Sequence, residues 1–182
     1  MSKEKDSVRP NAAHERHLDA ADRTLLGVLV DDALVSYAEL GERAHLSTAA
    51  AHERVKRLRR SGTIRRTSAM LDPKAIGKSL LAFVHVDTHG WGKTPSLMGL
   101  IDHPEVEEIH SVAGDASLLL KVRAENTQAL ERLLAVVYGL PGVVATRSYI
   151  VLSTYFERPV QPGVTEWPSD DTEAVAWSSA HA

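Results

Sequence analysis

The breaker-rich hexapeptide Asp72-Pro-Lys-Ala-Ile-Gly77 separates two stretches whose apolar residues repeat with different periods. Before it, they recur at the three- and four-residue spacing of helices. Beyond it, short alternating or continuous apolar runs are interleaved with helical ones, which is the pattern of strands and helices in turn. The change of period predicts two small domains, at 18–72 and 78–156, joined by a linker at 73–77. The segments 1–17 and 157–182 show neither period and are expected to be flexible. The second of them is acidic and carries Pro159, Pro162 and Pro168.

Three helices are predicted in the first domain. Asp19 can accept from the free N–H groups of the first turn, and Asp22 sits near the positive end of that helix's dipole. Ala21, Leu25, Val28 and Leu29 make its apolar stripe, which Asp31-Asp32 ends. Ser36-Tyr-Ala-Glu39 has the reciprocal spacing of a capping box and opens a second helix through Ala44. Ser47 caps a third, with Ala51, Val55 and Leu58 on one stripe and Ser61-Gly62 at its end. Two short-linked helices, the second of them basic, match a helix-turn-helix. The β-branched, alternating segment Thr63–Leu71 predicts a strand that carries Arg65 and Arg66 to the side of the third helix, as a wing does.

Charge sharpens this reading. The chain carries −3 overall, but residues 43–66 hold eight Arg or Lys against Glu53 alone, about +7, so the remainder sums to about −10. Segregation of that kind is an electrostatic footprint for nucleic acid; a solvated helix face is the bland alternative.

In the second domain, strands are predicted at 79–87, 106–112, 117–123 and 143–152. Helices are expected from Thr94-Pro95 to His103 and over 127–138. The order β-α-β-β-α-β is that of the ferredoxin-like split βαβ fold, in which two helices cover one face of a four-stranded antiparallel sheet. The open face must find a cover, and a second copy of the same sheet is the simplest one. An obligate homodimer is therefore expected, which also suits domains too small to be stable alone.

Several function classes are excluded or left without support. No apolar run approaches the roughly 20 residues of a membrane span, and no secretory pattern follows the polar start, so the chain is expected in the cytosol. The sequence has no cysteine, which removes disulfides, thiolate metal sites and cysteine nucleophiles. Nine histidines remain, but His85 and His89 fall at a strand end and in a turn, and His103 and His110 are isolated, so no metal site is expected. His85 and His110 lie near the expected dimer face, where protonation can tune assembly. There is no Gly-x-Ser-x-Gly elbow, phosphate loop or His-Glu-x-x-His, and Gly90-Trp-Gly92 is not a dinucleotide fingerprint, so no enzyme is expected.

Taken in order, Leu18-Asp-x-x-Asp22-x-x-Leu25-Leu, Glu39-Leu40, Leu46-Ser47, Arg54-Val-Lys-Arg-Leu58, Gly62-x-Ile64 and Leu71-Asp-Pro73 resemble the N-terminal half of the Lrp/AsnC (feast/famine) transcription regulators. His103-Pro-Glu-Val106, Ser111-Val-Ala-Gly114, the LLLKV strand and Leu140-Pro-Gly-Val143 resemble their second half, the RAM domain. The resemblance implies an α+β architecture: an N-terminal winged helix-turn-helix, then a ferredoxin-like βαββαβ domain. It further implies a DNA-binding dimer, often assembled into octamers, that responds to an amino acid or related metabolite held where RAM domains of neighbouring dimers meet. The family's loop between the second and third sheet strands reads Gly-x-x-Asp. Here it is Gly114-Asp-Ala-Ser117, so a hydroxyl stands where the acid is expected. Recognition of an α-ammonium is weakened unless Asp115 supplies the charge. The effector residues so implied are Ala113, Gly114, Asp115, Ala116 and Ser117, with Thr146 and Ser148 of the last strand. No cofactor is implied beyond that small effector.

For DNA, the N-terminal end of a recognition helix usually reaches base edges, which selects Thr48, Ala50, His52 and Glu53 for readout, with Ser47 beside them as a further DNA contact. Lys56, Arg57, Arg59, Arg60, Arg65 and Arg66 suit the phosphate backbone. Arg54 has two readings, a DNA contact or an ion-paired orienting residue. The sequence is thus read as a sequence-specific transcriptional regulator modulated by an amino-acid-like ligand. The alternative is a ligand-binding or architectural oligomer with weakly specific DNA binding.

Overall fold

The computed structural model of the chain describes residues 18–90 and 94–165. Expectations for 1–17 and for the tail beyond Thr165 lie outside the described residues. Ser68–Glu157 forms one compact unit, and the rest of the described chain forms the other.

The first unit holds α1 (Ala20–Asp31), α2 (Tyr37–Arg43) and α3 (Thr48–Arg60). Each begins at its expected cap: Asp19, Ser36 and Ser47 accept from the backbone N–H three residues on, at 2.7, 3.2 and 3.2 Å. Such caps contribute about 1 kcal/mol each. Leu25, Leu40, Ala44, Ala51 and Val55 form the core, with Ile64 and Tyr37 against it. The turn between α2 and α3 is tight enough to select its residues. A Cβ on Gly41 would lie 2.6 Å from the Leu46 carbonyl oxygen, and His45 sits at a φ of 55°. Gly62, at a φ of 75°, ends α3.

The wing strand does not form. Arg65 to Asp72 are exposed and belong to neither helix nor strand. The segment has the side-chain alternation of a strand, but a strand needs a partner for its N–H and C=O groups, and none pairs with it among the described residues. The helix-turn-helix stands as expected; its wing is a loop.

The second unit is the predicted βαββαβ arrangement. It comprises β1 (Leu80–Thr88), α4 (Pro95–Met98) running into a 3₁₀ turn (Gly99–Asp102), β2 (Val106–Ser111), β3 (Leu118–Ala124), α5 (Thr127–Tyr138) and β4 (Val143–Ile150). The sheet order is β2-β3-β1-β4, all antiparallel. Alternate residues Ala82, Val84 and Val86 of β1 and Leu118, Leu120, Val122 and Ala124 of β3 face the helices. They meet Leu97, Leu100, Leu130, Leu133 and Val137 there.

The opposite sheet face mixes apolar and charged side chains. It presents Leu81, Phe83 and His85 of β1 beside Arg123, Lys121 and Leu119 of β3. A register irregularity in β2 turns both Glu107 and Glu108 toward these cations. Glu157 completes the group, 2.6 Å from Lys121 and 2.9 Å from Arg123. The chain was expected to loosen at this residue, yet Glu157 is tied to β3. Beyond it, the carbonyl of Pro162 accepts from Arg23 of α1 at 2.6 Å, so residues up to Thr165 lack regular structure but not contacts.

This network sets an acid limit. The hydrogen bond from Lys121 lowers the Glu157 carboxyl below its usual 4.5, and the bond from His110, with Lys121 behind it, lowers Glu108. Burial acts against the charge on Lys121, but Glu157 and Glu107 outweigh it, and its pKa is raised. Folding therefore favours the deprotonated carboxyls: their contribution is complete above about pH 4.5 and is lost as pH falls through the lowered folded values. Thermal melts from pH 7 to pH 3 should show the fall in Tm start below pH 4.5 in the wild type and be shallower for Glu157→Gln. Identical profiles would mean that this residue does not anchor the segment.

Candidate functional site

Ser47, Thr48, His52, Glu53, Lys56, Arg59 and Arg60 are exposed on α3, and Ala50 is half-buried. Thr48, His52, Lys56 and Arg60 follow one another at four-residue steps and so form one ridge of the helix. The Ser47 hydroxyl accepts the Ala50 N–H, which occupies one of its lone pairs and leaves its proton available. The His52 ring stands edge-on to Tyr37 of α2 at 4.7 Å between centroids, which fixes its direction. Glu53 lies between His52 and Lys56, at 3.6 and 3.7 Å, both too long for strong pairing. Arg59, Arg60, Arg65 and Arg66 have no carboxylate partner among the described residues.

Arg54 and Arg57 differ from this set. They point along the other flank of α3, toward the start of α1. Arg57 donates to both carboxylate oxygens of Asp22 at 2.7 Å, and Arg54 bridges Asp22 at 3.0 Å and Asp19 at 2.6 Å. Asp22 is 2% exposed. Of the two readings of Arg54, the ion-paired one describes its geometry, and Arg57, expected on phosphate, shares the same carboxylate. The bond from Arg54, then that from the Asp22 N–H, lowers the Asp19 pKa, while Asp19 and Asp22 raise that of Arg54. The capping role of Asp19 was legible, but this clamp was not singled out. Its signal was present: an acid at the cap of one helix with a second acid three residues on, and two arginines three apart on another helix.

The loop between β2 and β3 is held at its second end. Ser117 N–H donates to the Val86 carbonyl at 3.1 Å, and the Ser117 hydroxyl accepts from Thr88 N–H at 3.2 Å. The residue in the expected acid position therefore braces the loop against β1. Ala113, Gly114 and Asp115 are exposed; Ala116 is buried. Thr146 is paired with Val86 across β1 from Leu118, which puts it about 10 Å from the loop's end by the strand spacing. Ser148 lies further along β4, opposite Val84, and neither side chain has a hydrogen bond to the loop. Sequence reading missed Arg147 between them. It donates to the Asp115 carbonyl at 2.8 Å and pairs with Asp87 at 3.3 Å. The diagonal placement of an acid on β1 and an arginine on β4 was its only sequence trace. Among the described residues no three His, Asp or Glu side chains converge as a metal site, and no helix is long and apolar enough to cross a membrane.

A helix-turn-helix with an exposed cationic ridge, joined to a separate βαββαβ domain with a braced loop, fits a DNA-binding regulator with a ligand-binding domain. Comparison with known proteins narrows the class. The model of the AsnC-type helix-turn-helix domain matches residues 18–59, and that of the Lrp/AsnC ligand binding domain matches residues 81–161. The chain is 32% identical over 145 residues to the HTH-type transcriptional regulator FL11 of Pyrococcus horikoshii, covering 80% of this chain and 96% of that one. It is 36% identical over 143 residues to the leucine-responsive regulatory protein of Escherichia coli K12, covering 75% and 86%. Among solved structures it is similar to the feast or famine regulatory protein from Mycobacterium tuberculosis complexed with L-methionine. There the identity is 37% and the TM-score 0.71, over 78% of this chain and 96% of that one. The chain belongs to the Lrp/AsnC family of transcriptional regulators.

Proposed function

We propose that this regulator binds DNA as a homodimer through Thr48, Ala50, His52 and Glu53 at base edges and Lys56, Arg59, Arg60, Arg65 and Arg66 on phosphates. The observation that carries this is the set of exposed cations on α3 and the loop after it, of which Arg59, Arg60, Arg65 and Arg66 have no carboxylate partner among the described residues and Lys56 only a loose one in Glu53, while the arginines on the opposite flank are neutralised within the chain. Ser47, through its hydroxyl proton, is a further phosphate contact. Arg54 and Arg57 act by orienting α3.

The second domain is read as the sensor. The loop 113–117 is its effector site, with Asp115 for an α-ammonium and the loop N–H groups for a carboxylate; Thr146 and Ser148 are outer contributors along β4. An amino acid is the favoured ligand class, since a relative has been crystallised with L-methionine. The open sheet face, with Phe83, Leu119, His85 and Tyr149 among its charges, supports self-pairing, and the assembly proposed is an octamer of such dimers with the ligand between them. The protein acts in the cytosol by binding rather than by catalysis. Ligand binding shifts the population of assemblies and with it the spacing of paired recognition helices.

Selection of bound fragments from the organism's own genome should enrich one palindromic site. Enrichment without a shared sequence would favour the architectural alternative. Calorimetry against the common L-amino acids, with light scattering alongside, should return at least one ligand that changes the oligomer distribution. No heat and no change would mean a ligand-independent regulator.

A further inference from the structure

The N–H groups of Ala113, Gly114, Asp115 and Ala116 have no hydrogen-bond partner among the described residues, and the Asp115 carboxylate has none either. A short loop with so few internal bonds does not hold its shape by itself. Two external ties do so. At one end Ser117 is bonded to Val86 and Thr88 of β1. In the middle the Arg147 guanidinium donates to the main-chain carbonyl of Asp115 at 2.8 Å. Asp87 stands 3.3 Å from the same guanidinium and balances its charge. The result is a loop whose acceptor is turned to β4 and held there, while its donors stay unengaged.

We infer that Arg147 is the positioning residue of the effector site: by fixing the Asp115 carbonyl it presets the loop N–H groups to receive the carboxylate of an amino acid. Because the guanidinium is planar and presents several donors, it reaches the carbonyl and the Asp87 carboxylate together. With the loop ordered beforehand, a ligand does not have to order it on binding. This rests on the reading that the 113–117 loop holds the effector.

The test compares wild type, Arg147→Ala and Arg147→Lys in the full-length protein by two measurements. In the ligand-free protein, amide exchange at Val112 and Ser117 should quicken in Arg147→Ala. In titration with L-methionine, and then with the other common L-amino acids, its affinity should fall about ten- to a hundredfold, the span of a hydrogen bond to a charged group. The melting temperature should stay near wild type because Arg147 is half exposed, and Arg147→Lys should restore only part of the affinity, since a single ammonium does not hold the carbonyl and Asp87 in the same geometry. Wild-type affinity and exchange in Arg147→Ala would overturn the inference. If wild type binds no amino acid yet exchange still quickens in Arg147→Ala, the effector reading falls and the positioning of the loop stands; if exchange is also unchanged, both fall.

Discussion

Changing Arg54 and Arg57 together to alanine is expected to destabilise the helix-turn-helix domain by about 3–5 kcal/mol, because it strands the Asp22 carboxylate in the interior without a counter-charge. That carboxylate is 2% exposed and accepts all three of its side-chain hydrogen bonds from these two arginines. A loss of this size rivals the whole stability of so small a unit. Arg57→Ala alone should cost less, since Arg54 still reaches Asp22. Adding Asp22→Ala to the double variant should recover part of the loss, because the buried charge then goes too. Amide exchange in α1 and α3, which separates this unit from the other, is the measurement. Wild-type protection in the double variant would show that the clamp contributes nothing.

The largest effect on DNA binding is expected from Lys56→Ala with Arg60→Ala. A dimer whose half-sites each neutralise about three or four phosphates should show a log–log salt slope of roughly −5 to −7. Removing two cations from each protomer should make the slope shallower by about 3.6 and weaken binding by about a hundredfold or more at physiological salt. Preference among sequences should change little, since phosphate contacts carry no base information. His52→Ala should do the reverse, relaxing the choice at one base pair by about 1–3 kcal/mol with the slope intact. Arg57→Ala separates the clamp from the ridge: stability falls while the slope barely moves. Unchanged affinity and slope in Lys56→Ala with Arg60→Ala would remove α3 from the interface.

Much of this architecture was legible from local signals. Asp19, Ser36 and Ser47 each cap the helix they were expected to cap, since a cap is decided by a side chain and an N–H three residues away. The order of strands and helices beyond Gly77 followed from periodicity in the same way. Thr63–Leu71 shows the boundary of such reasoning. Alternation describes which way side chains would point, but a strand exists only where another backbone lies alongside. Glu157 shows it from the other side: proline and acid content suggested a loose end, yet Lys121 and Arg123 on β3 bind it.

The sequence by itself determined the three helices of the helix-turn-helix, the βαββαβ order beyond them and the concentration of positive charge between positions 43 and 66, because each depends on neighbours along the chain. Only the tertiary structure decided which of those charges face solvent and which are neutralised. It alone brought Arg147 to the loop whose shape it holds. The physical reason is the same in both cases: a charge takes its character from what lies within a few ångströms of it, and Asp22 for Arg57, or Asp87 for Arg147, is supplied by a part of the chain tens of residues away.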